Sequence, residues 1–109
     1  MIYFDNSATT QAAPAVLDTY TKVSQQVWGN PSSLHNFGET AFHLLEQSRK
    51  QIADLIGAKP NEIFFTSGGT EGDNWVTKGT AIEKRSFGKH LITTAVEHPA
   101  IHNSMEQLK

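Results

Sequence analysis

Residues 67–74, Ser67-Gly68-Gly69-Thr70-Glu71-Gly72-Asp73-Asn74, constrain this chain more than any other stretch. They follow an apolar run, Glu62-Ile63-Phe64-Phe65-Thr66, which predicts a buried strand over 62–66. They lead into Trp75-Val76-Thr77-Lys78-Gly79-Thr80-Ala81-Ile82, inside a predicted helix over about 70–84. A glycine turn between a strand and a helix gathers free backbone N–H groups and the positive helix end at one point. That arrangement can hold a phosphate. A plain strand–helix turn is the competing reading of the same residues.

The rest of the chain organises around that unit. Ile2-Tyr3-Phe4 reads as a short extended piece, and Asp5-Asn6-Ser7-Ala8-Thr9-Thr10 as a polar turn-forming loop. Pro14 suits a first helical turn, and Val16, Leu17, Tyr20, Val23 and Val27 recur at helical spacing up to about Trp28. Gly29-Asn30-Pro31-Ser32-Ser33 breaks that helix. Phe42, Leu45, Arg49, Ile52 and Ile56 predict an amphipathic helix from about Glu39 to Ile56, closed by Gly57 with Pro60 just beyond. His90-Leu91-Ile92-Thr93-Thr94-Ala95-Val96 is rich in β-branched residues and predicts a second strand. Glu97-His98-Pro99 ends it, and a helix is expected from Ala100.

From residue 62 the order is therefore β-α-β-α, which predicts an α/β fold with a parallel sheet. Two parallel strands are a poor independent sheet, so residues 61–109 read as the start of a larger domain. Residues 1–60 read as an N-terminal arm with helices. The 109 residues suffice for a core, and 38% hydrophobic with 18% charged residues argues against disorder. A net charge of −2 gives no electrostatic case for nucleic acid. No apolar run reaches a membrane span, and the first residues lack the basic and apolar regions of a signal peptide, so the expected compartment is the cytoplasm. Cysteine is absent, which excludes disulfides, thiolate–metal sites and a cysteine nucleophile from this chain.

The candidate site is built from two strand ends. A Walker P-loop and a Gly-x-Gly-x-x-Gly fingerprint are both missing, which leaves Gly68-Gly69-Thr70 at a helix start. Thr70 adds a hydroxyl donor. Glu71 would be repelled by a phosphate, so it is expected to turn aside. His98 follows the second predicted strand, and in parallel sheets the C-terminal strand ends form the ligand crevice. An imidazole there could stack on a flat cofactor; an exposed loop histidine is the competing reading. His98 and His102 do not share a helix on this reading, because Pro99 separates them, so no metal site is expected. His35 reads as a loop residue, and no Gly-x-Ser-x-Gly supports a serine nucleophile.

Four segments, taken in order, resemble the N-terminal third of a cysteine desulfurase. They are Tyr3-Phe4-Asp5-Asn6-Ser7-Ala8-Thr9-Thr10, Gly29-Asn30-Pro31-Ser32-Ser33-Leu34-His35, Ile63 through Asn74, and Glu97-His98-Pro99-Ala100. Cysteine desulfurases are class V aminotransferase-type enzymes of pyridoxal phosphate (PLP) fold type I. The resemblance implies that Gly69 and Thr70 cup the cofactor phosphate. It implies that His98 stacks on the pyridine ring and takes part in proton transfer. The loops at 5–10 and 29–35 match segments near the active-site mouth and dimer interface.

Members of that family are several times longer. Their Schiff-base lysine follows a Ser-His pair in the later part, and no lysine here does so. The acidic partner of the pyridine nitrogen and the sulfur-accepting cysteine also come later. The resemblance thus implies an N-terminal part of an enzyme that converts L-cysteine to L-alanine. Sulfur passes to an enzyme cysteine and on to iron–sulfur cluster or thio-cofactor assembly. A homodimer and a sulfur-acceptor or scaffold protein are the implied partners. The 109 residues alone are expected to be inactive and to bind PLP weakly. Three other readings stand beside this one: a non-catalytic interaction fragment, a small binder of phosphate ligands, and a class V enzyme acting on kynurenine, serine or selenocysteine.

Overall fold

A computed structural model of the chain describes residues 2–109. It divides into two compact units, residues 1–63 and 64–109.

In the first unit, Tyr3 donates its hydroxyl to the Thr9 carbonyl (3.1 Å), and Ala8 N–H reaches the Asp5 carbonyl (3.1 Å). The polar segment 5–10 is thereby a closed turn. Helix α1 spans Pro14–Gln26, with Pro14 in its first turn. Proline is favoured there because that N–H would have no acceptor anyway. Helix α2 spans Asn36–Ile56 and stops at Gly57, whose φ of 69° is the left-handed conformation. The Ala58 N–H returns to the Ala53 carbonyl (2.9 Å), which closes the helix end in a Schellman motif. α2 starts three residues before the expected Glu39.

The link between the helices is tightly closed. Trp28 and Phe37 meet edge to face, with centroids 4.8 Å apart. Asn30 Oδ1 accepts from Ser32 N–H (2.9 Å), and Asn30 O accepts from Ser33 N–H (3.0 Å). Gly38 is buried under this turn; a Cβ on it would lie 2.5 Å from Ser33 O and 2.7 Å from Asn30 O. His35, expected as a loop residue, is the N-cap of α2, its Nδ1 accepting from Gly38 N–H (3.2 Å). Histidine is not among the favoured caps, so its residue type gave no sign of this.

Beyond α2, Pro60–Glu62 form a single 3-10 turn. Glu62 closes it by accepting from Lys59 N–H (2.7 Å), so it belongs to this turn and not to the strand predicted over 62–66. Arg49 reaches from α2 to donate through Nη1 to the Ile63 carbonyl and through Nε to Glu46 (2.9 Å).

In the second unit, α3 (Gly69–Lys84) packs against α4 (Pro99–Glu106). Ala100 and Ser104 are its buried residues, at 7% and 1% exposure. Phe64 meets Trp75 edge to face at 5.4 Å, folding the start of the unit onto α3.

The two predicted strands are corrected here. No strand forms among the described residues, and Ala95-Val96 form a turn instead of a strand end. Ile63 has extended backbone (φ −100°, ψ 126°), but no strand pairing is formed among the described residues. A strand is a property of a pair. The β-branched and aromatic residues that favour strands do so by packing on neighbours across a pleated surface. Here Phe64, Ile92 and Val96 stay exposed, and two strands alone are marginal. The parallel sheet expected from the sequence is therefore not formed among the described residues.

Candidate functional site

The glycine turn opens α3. Gly68 is the N-cap, with extended backbone and no side-chain cap. The first hydrogen bond along the helix is Gly72 N–H to Gly68 O (3.2 Å). The N–H groups of Gly69 and Thr70 have no acceptor among the described residues. Neighbouring carbonyls are engaged instead: Thr66 Oγ1 donates to Gly68 O (3.1 Å), and Asn74 Nδ2 donates to Thr70 O (2.8 Å). Donors are left free while acceptors are occupied, which biases the turn towards an anion.

A phosphate fits this turn on two counts. A Cβ built on Gly68 or Gly69 meets nothing within 4 Å, so the approach to the N–H groups is open. The Thr70 hydroxyl donates to no group of the described chain. The like charge of Glu71 is turned aside, as expected. Its Oε2 accepts from Ser67 Oγ and Ser67 N–H, both at 2.6 Å. The Ser67 hydroxyl and then the Ser67 N–H hold the Glu71 carboxyl below the usual carboxylate range.

His98 caps the other helix. Pro99 occupies the first position of α4 and has no N–H, so the first donor of the helix is Ala100 N–H. His98 Nδ1 accepts it at 3.1 Å. The His98 carbonyl accepts from Ile101 and His102 N–H (2.9 and 3.0 Å).

Thr70 and His98 line one groove of about 310 Å³ between α3 and α4, together with Asn74, Asn103 and Gln107. Gly69 sits one residue before Thr70 and does not line it. Sequence reasoning singled out Thr70 and His98 and missed Asn74, Asn103 and Gln107. Helical spacing does carry the signal. Asn74 lies four residues after Thr70, while Gln107, the C-cap of α4, lies four residues after Asn103, so each set shares a helix face. His102 faces a different groove with Lys89, His90 and Glu106. No group of three metal-ligating side chains occurs among the described residues.

The chain is similar to several known proteins. A NifS/IcsS protein homolog of Lactobacillus delbrueckii subsp. bulgaricus is 59% identical over the whole chain, which covers 28% of that protein. The cysteine desulfurase IscS of Methanosarcina thermophila is 47% identical over 92% of the chain and 25% of its own length. A solved NifS-like protein superposes with a TM-score of 0.92 at 38% identity, over 98% of this chain and 29% of that one. SspA in complex with cysteine superposes with a TM-score of 0.88 at 38% identity, over 97% and 30%. The chain thus spans about a quarter of the length of these curated relatives. The aminotransferase class-V family description matches residues 2–109, and the chain belongs to that family.

Proposed function

We propose that this chain is the N-terminal part of a PLP-dependent cysteine desulfurase. The intact enzyme releases L-alanine from L-cysteine and passes the sulfur to an enzyme cysteine that this chain does not contain. The observation that carries the reading is the shared groove of Thr70 and His98 in a chain of this family. SspA, a solved relative, is described in complex with cysteine, which supports that substrate.

Gly69 and Thr70 hold the cofactor phosphate through backbone N–H groups and the Thr70 hydroxyl. His98 supplies a flat ring beside it. The cofactor, when bound, supplies the electron sink for chemistry at the amino-acid carbon. Residues 1–60 form the arm, and 61–109 begin the cofactor-binding large domain of fold type I. There, segments 63–66 and 90–94 become strands when neighbouring strands cover Phe64 and Ile92. A homodimer, a sulfur-acceptor protein and the cytoplasm complete the assignment. No helix is long and apolar enough to cross a membrane among the described residues.

A chimera tests the proposal. Residues 1–109 replace the matching segment of the Lactobacillus relative, and alanine formation from L-cysteine is measured. The chimera is expected to turn over, and Thr70→Ala to weaken cofactor retention by roughly tenfold or more, the usual loss for a hydrogen bond to a charged group. A folded chimera that retains cofactor but makes no alanine refutes the substrate. A folded chimera that retains none refutes the reading itself.

A further inference from the structure

His98 uses one ring nitrogen to hold up a helix, and that limits what the ring can do for chemistry. Its Nδ1 accepts the Ala100 N–H at 3.1 Å. A neutral imidazole that accepts at Nδ1 carries its proton on Nε2. In that state Nε2 has no lone pair to take a proton, and the lone pair on Nδ1 is engaged. Losing the Nε2 proton would leave an imidazolate. The capped ring can therefore donate a hydrogen bond but cannot readily accept or release a proton.

We propose that His98 is a positioning ring and hydrogen-bond donor while α4 is capped, and that it becomes a proton acceptor only by uncapping α4. The balance is simple: a proton added at Nδ1 replaces the Ala100 N–H there, and that N–H loses its acceptor. Ala100 is only 7% exposed, so water does not readily replace the lost partner. Pro99 offers no N–H to share the cap. The groups that face His98 from α3, Thr70 and Asn74, do not titrate, and neither do Asn103 and Ser104 on α4 or Gln107 at its C-cap. No neighbouring charge in the groove compensates a protonated ring.

The inference rests on the desulfurase reading only for what the ring lies against. Three variants of this chain separate cap from ring. His98→Asn restores a favoured cap without the ring; His98→Phe keeps a flat ring without the cap; His98→Ala has neither. Amide hydrogen exchange at Ala100–Asn103 is the first readout. Asn is expected to match the parent, with Phe and Ala exchanging about fivefold faster, the usual worth of an N-cap. Nitrogen NMR of the imidazole is the second, expected to show Nε2 protonated and Nδ1 bare. On acidification, protection at Ala100 should fall in step with ring protonation. A ring that titrates with Ala100 protection unchanged, or a Phe variant as protected as the parent, overturns the proposal. In the chimera, cofactor retention is expected with Phe and lost with Asn. If the cap results hold and the parent chimera retains no cofactor, the desulfurase reading fails and the cap assignment stands.

Discussion

Gly38→Ala should destabilise α2, although glycine to alanine inside a helix normally helps. The favourable part is about 1 kcal/mol of helix propensity. Against it stands the new Cβ, 2.5 Å from Ser33 O and 2.7 Å from Asn30 O. Both are backbone atoms of a turn held by two Asn30 hydrogen bonds and clasped by Trp28 and Phe37, so neither can swing away as a side-chain tip would. Overpacking of this kind costs about 1–3 kcal/mol. Any shift of Gly38 also lengthens its 3.2 Å bond to His35 Nδ1, a cap worth about 1 kcal/mol. The net loss is about 1–3 kcal/mol. Local exchange, not global melting, is the proper assay, because the chain forms two units and need not unfold in one step. Amides in the first two turns of α2 should exchange about 5- to 150-fold faster. Unchanged protection would refute the reasoning, since propensity would then outweigh the clash.

Gly69→Ala should behave in the opposite way. Its Cβ meets nothing within 4 Å, so α3 gains about 0.5–1 kcal/mol, while binding of inorganic phosphate or PLP weakens because the methyl group narrows the approach to the N–H groups. Amide exchange in the first turns of α3 and anion titration of one preparation check both signs. Glu71 gives a pH prediction. Its folded pKa lies below the ordinary 4.5, so its contribution is fully present above that value and is lost as pH falls through the folded pKa. Proton NMR should show the Ser67 amide losing protection in that acidic range and not near neutrality. Glu71→Gln, which keeps an acceptor, should retain most of that protection at all pH values.

The helices were largely legible, and the reasons are local. Pro14, Gly57 and Pro99 mark helix ends through backbone chemistry that acts wherever they stand. The amphipathic spacing from Phe42 to Ile56 acts within one helix. The strands failed for the converse reason: the apolar runs at 62–66 and 90–96 need a pleated neighbour to become strands, and no strand forms among the described residues. The groove was half legible. Thr70 and His98 stood out by residue type and by position after apolar runs. The uses of Asn74 and His35 depend on which backbone atom lies within reach, which composition does not record.

Arg49 binds two acceptors that lie in different parts of the first unit, a carboxylate on its own helix and the carbonyl of Ile63. Only a planar fork with several fixed N–H vectors serves both at once. A lysine in its place would keep the charge yet offer a single moving point, and would have to choose. The direction in which the polypeptide leaves α2 is thus written in the shape of one guanidinium and not in its charge.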